Sequence, residues 1–478
     1  MIRVPKWKER IDTEKKLNDD YQVKINGVEC EVRECRVSAM PYNRPWPGVQ
    51  RPIDQTELAS YISFSSDENA VFEIKAKKEF KNAFIKPYSK NIKAEVSNDI
   101  IKFTLKEFGQ YVLELDDSHG ALHIFYNEIK DYPEKEKATY YFGPGIHFAR
   151  RIELKDNDTI YVDEEAVVYT VICGKNVKNV KIFGGGVLDG GMEERVFPSG
   201  YTDVTTGVIR LYNSENISIK DVIIKDSAVW ILSMFDCTNI EIDGIKIVGH
   251  WKYNTDGIDV CNSKNVVIKN SFIRAFDDVI TIKGLYNEKM CVENILIENC
   301  VMWCDWGRSA EIGHETATAE IKNITFKNCD LLYSSFAALS IHHGNEAEIH
   351  HVTYENINVE YSVTETPPVF HNIDDEKYSG YGKTHVPPLI FASTTDRRPP
   401  ETQLEGPVYG NIHDILYKNI NVYLPEGIDK PEINFSSIEG GPIFKNFTID
   451  GLYINGEKQE DFNNFKYICE NAENIVIK

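Results

Sequence analysis

The sequence has no apolar stretch long enough to cross a membrane as a helix; its longest apolar runs are strand-sized. Its first residues, Met1 to Lys8, lack the apolar core of a signal peptide. The expected location is therefore the cytoplasm, or outside the cell if a leader has been removed. None of the ten cysteines (Cys30, Cys35, Cys173, Cys237, Cys261, Cys291, Cys300, Cys304, Cys329 and Cys469) forms a Cys-x-x-Cys pair. The nearest pair, Cys300 and Cys304, has poor zinc spacing and no histidine close by. They read as small hydrophobes of a reducing compartment. Basic charge is scarce, with 53 Lys and Arg against 74 Asp and Glu, a net −21. That balance argues against nucleic acid or an anionic membrane surface as partner. It also gives no long-range help in attracting a polyanionic polysaccharide. Gly184-Gly185-Gly186 is followed by no helix and so is not a phosphate loop.

What the chain does contain is β pattern. A length of 478 residues is too great for one compact core, so two domains are expected. Over roughly the first 150 residues, alternating stretches recur between turns: Tyr21 to Ile25, Val71 to Lys75, Ile100 to Leu105, Tyr111 to Leu115. They predict short antiparallel strands of a β-sandwich over 1–145. From about Tyr161 a phrase repeats: Asn, alternating apolar residues, then Asn, Asp or Gly. It starts at Asn179, Asn216, Asn239, Asn265, Asn294 and Asn323, with later members near His351, Tyr417 and Lys445. A constant strand phrase with variable spacing is the mark of a solenoid whose loops differ in length. Leu at fixed positions and helical repeats are both missing. The expected fold class is all-β: a right-handed parallel β-helix over 146–478 preceded by the N-terminal β-sandwich. Asn and Gly would supply the left-handed corners. Two breaks, Gly191 to Tyr201 and Ser362 to Gly410, are long enough to wall a cleft.

Two phrases carry the chemistry: Asn254-Thr255-Asp256-Gly257 and Phe276-Asp277-Asp278-Val279. If one coil lifts the chain by about one strand spacing, ~4.8 Å, then Asp256 and Asp278 stand one above the other. Laid in register, Asp256, Asp278 and Arg308 share a column with Asp277 beside it. Lys283, Gly313-His314 and His342-His343 fall near the far ends of the same strands. A lone Asp at a β-helix corner caps a turn through its own side chain. Three together repel one another, and that pattern fits the acid and base of glycoside hydrolysis. Crowding raises the pKa of at least one member. Asp277 is then the acid, and Asp256 with Asp278 forms the base site of an inverting reaction. Calcium is the rival occupant of such a cluster.

These phrases on a parallel β-helix resemble glycoside hydrolase family 28, the polygalacturonases, over roughly residues 140 to 360. The resemblance implies an inverting hydrolase of an α-linked poly- or oligosaccharide, with Asp277 as general acid, Asp256 and Asp278 activating water, and no cofactor or metal. Its partner would be carbohydrate, not nucleic acid or membrane. Two departures accompany it. Trp306-Gly307-Arg308-Ser309 replaces the family's Gly-His-Gly phrase, so that role falls to His314, to Arg308 or to neither. The family's Arg-x-Lys phrase is missing, with Ser340-Ile341-His342-His343 in its place, which speaks against unsubstituted polygalacturonate. The N-terminal sandwich resembles family 49, the dextranases and isopullulanases, which makes a neutral α-glucan the alternative substrate. A β-eliminating lyase and a glycan-binding β-helix without turnover are the rivals from other classes.

Further candidates for substrate binding are Lys283, Arg308, His314, Glu311, His342 and Trp251. Lys283 reads equally as a solvated turn lysine, Glu311 as an alternative carboxylate, and Trp251, like Trp303 and Trp306, as core or as a sugar-stacking face. The phrase Asn43 to Gly48 reads as a rigid loop that could reach the cleft. The insertion at 362–410 and the missing leader point to exo action on imported oligosaccharides.

Overall fold

The computed structural model describes residues 1–6, 19–39, 51–195, 207–285, 291–365, 367, 385–395, 410–438, 440–463 and 465–478. The Asn43 to Gly48 phrase and most of the two long breaks lie outside the described residues. Among the described residues no helix is long and apolar enough to cross a membrane.

The described residues of the N-terminal part form two antiparallel-rich sheets, of six and five strands. In Tyr21–Ile25 the burial alternates strictly, Tyr21, Val23 and Ile25 inward and Gln22 and Lys24 outward, as a half-buried strand requires. Facing strands Ala70–Ala76 and Ile100–Leu105 stack Phe72 on Phe103, with ring centroids 4.6 Å apart. Phe64 of the other sheet meets Phe72 edge-on at 5.7 Å, which joins the two layers as a sandwich.

From Tyr140–Phe142 onward the described residues build one thirty-strand sheet, parallel among them except for the hairpin strand Glu457–Gln459. The ladder thus starts before the first Asn phrase, because its early strands, such as Gly145–Glu153, turn without that signature. The middle coils have three strands, for example Ile258–Cys261, Lys264–Lys269 and Phe272–Ala275, whereas in later coils one long strand such as Glu348–Glu360 takes the place of two. Like residues stack inside: Ile258 pairs with Ile280, Ile280 with Ala310, Ala310 with Leu339. All four are essentially buried. This column of aliphatic side chains supplies the core, at roughly 25 cal/mol per Å² of apolar surface removed from water.

The corners use asparagine as its backbone freedom predicts. Asn216, Asn239, Asn265, Asn294 and Asn323 all have φ between 55° and 59°. Each donates its Nδ2 to the preceding Asn Oδ1 at 3.0–3.2 Å. The left-handed conformation costs most L-residues about 1–2 kcal/mol; the amide ladder offsets it locally.

The sandwich rests on the outer face of the strands that close each coil. Val37, Tyr61, Val112 and Phe125 pack against Val187, Ile223, Phe272 and Trp303. At this seam Lys86 is buried between Glu114 Oε2, 3.3 Å away, and Glu360 Oε2, 3.4 Å away, and donates to Tyr333 Oη at 3.2 Å. The corner that follows these covered strands, beside the seam, is where Arg51 comes within 4.7 Å of the Phe276 ring centroid and where the site is built.

Candidate active site

The corner that follows the strand Phe272–Ala275 carries Phe276, Asp277 and Asp278 into the strand Ile280–Gly284. One coil earlier, Thr255-Asp256-Gly257 leads into Ile258–Cys261. The backbone ties the two together: Gly257 N–H donates to Asp278 O at 2.8 Å, and Val279 N–H to Arg308 O at 2.8 Å. Asp256, Asp278 and Arg308 therefore occupy equivalent places on successive coils, as their spacing predicts, with Asp277 at the side. Gly307 is required here, because a Cβ on it would stand 2.5 Å from the Asp278 backbone nitrogen.

The three aspartates differ in surroundings. Asp256 is 3 % exposed, and its Oδ1 is buried without a hydrogen-bond partner. Its Oδ2 accepts Lys283 Nζ at 3.0 Å. Asp277 is 7 % exposed and its Oδ1 accepts the Asp278 N–H at 3.1 Å. Asp278, half-buried, accepts the Arg308 N–H at 2.8 Å. Burial first, and then the neighbouring carboxylates, hold both Asp256 and Asp277 well above the usual carboxylate range. The Lys283 cation acts against that rise in both.

The register also aligns Asp259, Thr281, Glu311 and Ser340 in one row on the outer face. Glu311 is fully buried, 3.5 Å from Arg308 Nη1; burial and then the Asp278 charge push its pKa well up. Five carboxyl groups (Asp256, Asp259, Asp277, Asp278, Glu311) thus share two cations, Lys283 and Arg308. Burial raises the pKa of Asp256, Asp259, Asp277 and Glu311 in this company.

Of the other predicted residues, Lys283 is no solvated turn lysine: it is buried against the trio, its Nζ 3.9 Å from the Trp230 ring centroid. Arg308 lies 5.5 Å from the Phe336 ring centroid. His314 and His342 stack at 3.8 Å and meet at Thr395, whose Oγ1 is 2.5 Å from His314 Nε2 and 3.3 Å from His342 Nε2. They lie past a break in register between Ile282 and Gly284, where the next strand inserts extra residues. Trp251 is half-buried under Lys252, and among the described residues no hydrogen bond or ring contact joins it to the aspartates. Trp303 belongs to the seam with the sandwich, bonded to Asp305 Oδ1 at 2.8 Å. Trp306 instead stacks on Phe276 at 5.7 Å, beside Tyr253 and Phe336, an aromatic wall next to Asp277.

The sequence reading missed Asp259, which the pair Asp256-x-x-Asp259 signals, since it interrupts an otherwise aliphatic strand. It also missed Arg195, which donates to Tyr253 O at 2.5 Å and Asn254 Oδ1 at 2.8 Å and so props the Asp256 loop. No local signal announces that reach. Among the described residues, no group of three or more His, Cys, Asp or Glu stands ready to hold a metal ion.

The model for glycosyl hydrolases family 28 matches residues 141–387, more than half of the 478-residue chain. Rhamnogalacturonase A from Emericella nidulans is 31 % identical over 121 residues, which are 25 % of this chain and 22 % of that protein. The chain thus spans under a quarter of the length of that curated relative. Among solved structures, Dex49A from Penicillium minioluteum is similar over 100 % of this chain and 98 % of its own, with a TM-score of 0.67 at 13 % identity. An exopolygalacturonase from Thermotoga maritima is similar over 72 % of this chain and 85 % of its own, with a TM-score of 0.53 at 16 % identity. Both likenesses support the parallel β-helix fold, and that to Dex49A, which spans the whole chain, also supports its N-terminal companion.

Proposed function

The chain belongs to glycosyl hydrolases family 28, and from that premise we propose that it hydrolyses an α-linked pectin-type polysaccharide or oligosaccharide with inversion at the anomeric carbon. Asp277 is the general acid. Its buried carboxyl, raised by burial and by Asp278, holds the proton that the leaving oxygen needs. Asp256 and Asp278, on adjacent coils, hold the attacking water on the opposite face of the sugar. The crowding of these three side chains at one corner carries the reading. The Phe276–Trp306 wall supplies an aromatic face of the kind that packs against sugar rings.

The backbone unit is expected to be a rhamnogalacturonan or galacturonan, in keeping with the rhamnogalacturonase relatives. One observation favours a neutral α-glucan as second reading: Lys283 and Arg308 are both engaged by carboxylates of the protein itself. Reducing-sugar release across rhamnogalacturonan, polygalacturonate, dextran and pullulan decides between them, with Asp277→Asn as the control. Release from none of them, or equal release by the variant, would refute the hydrolase reading. An unsaturated, ultraviolet-absorbing product would indicate a lyase.

A further inference from the structure

Asp256 belongs to a buried ion cluster that the assignment of acid and base leaves unused. Lys283 Nζ donates to Asp256 Oδ2 at 3.0 Å and to Asp259 Oδ1 at 2.7 Å. Thr281 Oγ1 donates to the same Asp259 oxygen at 2.8 Å. The Trp230 ring covers the ammonium at 3.9 Å. The side chains of Lys283, Asp256 and Asp259 are 3 %, 4 % and 0 % exposed. An ammonium held this way cannot swing to a substrate without stranding two buried carboxylates, an arrangement proteins avoid.

We propose that Lys283, held by Asp259 and the Trp230 ring, is a positioning residue that orients Asp256 and favours its base form, and is not a substrate-binding lysine. This rests on the assignment of Asp256 and Asp278 to water activation. Asp256 faces the charges of Asp259, Asp277 and Asp278, and Arg195 acts on it from the preceding loop. Lys283 faces Glu315 and Asp278 besides its two partners, and its charge also acts on Glu311 and Cys261. Within that field burial and three carboxylates disfavour the Asp256 anion, and Lys283 opposes them. Asp259 anchors the lysine but also repels Asp256, so the two partners pull the same proton equilibrium in opposite directions.

The test is the acid limb of the kcat/KM pH profile, which reports the proton that must leave the base site. In Lys283→Met the limb moves to higher pH by about one unit or more, kcat falls about 10²-fold, and KM changes by less than about threefold. Asp259→Asn keeps an oxygen for Lys283 and Thr281 to donate to while deleting one negative charge, so its limb moves to lower pH. A purely structural role would weaken both variants without moving either limb. If Lys283→Met does not fold, Lys283→Arg replaces it: the retained charge holds the limb within about half a unit of the parent, while Asp259→Asn still shifts downward. A limb that stays fixed in both variants, or a KM raised about tenfold or more at unchanged kcat, overturns the proposal while Asp277→Asn remains inactive. Full activity in Asp277→Asn would instead overturn the acid and base assignment, and the proposal with it.

Discussion

Replacing Asp277 by Asn tests the acid directly, because the change is nearly isosteric. The amide side chain keeps an oxygen to accept the Asp278 N–H, which Asp277 Oδ1 takes at 3.1 Å, so the corner holds its shape. What disappears is a transferable proton on a buried carboxyl whose pKa stands well above its ordinary value, through burial first and Asp278 second. Loss of a general acid lowers kcat by about 10²–10⁴-fold, equivalent to about 3–5 kcal/mol of transition-state stabilisation. KM should change by less than about threefold, since the proton contributes little to ground-state binding. The discriminating assay pairs the polysaccharide with a dinitrophenyl glycoside of the same sugar, whose leaving group departs without protonation. The variant should lose activity on the first and retain most of it on the second. Equal losses on both substrates, or no loss on the polysaccharide, would refute the role given to Asp277.

Three further outcomes follow from the geometry. Gly307→Ala places a Cβ 2.5 Å from the Asp278 nitrogen; the shifted corner should cost about 10²-fold in kcat with circular dichroism unchanged. Lys86→Met leaves Glu114 and Glu360 buried without their shared cation, and denaturant titration should show a loss of about 3–5 kcal/mol. Burial raises the Glu360 pKa from 4.5 to about 7, against the pull of Lys86. Its stabilising contribution is then fully present below about pH 4.5 and lost as pH rises through about 7, so the melting temperature should fall across that window and less so in Glu360→Gln.

Much of the fold was legible because its physics is periodic. The Asn phrases mark corners whose φ values are left-handed, and the aliphatic alternation between them sets the coil register closely enough to stack Asp256, Asp278 and Arg308. The alternating strands of the first 150 residues likewise declared a half-buried sheet. What stayed hidden depends on contacts distant in sequence. Lys283 reads the same in a sequence whether solvated or buried, and only the fold places Trp230 over it, 53 residues earlier in the chain (283 − 230). Arg195 reaches Asn254 from a different coil. The extra residues opposite Lys283 shift His314 and His342 away from a simple register, a change no repeat pattern encodes. Trp303 and Trp306, three apart, part company because one faces the sandwich and the other the site.

Proton NMR of the first-formed product, followed before mutarotation, tests the three-aspartate assignment most directly. An α-linked substrate should release its new reducing end as the β-anomer, with the α signal growing only later. An α-anomer appearing first would mean a covalent intermediate on one of these carboxylates, and would contradict the pairing of Asp256 with Asp278 around water.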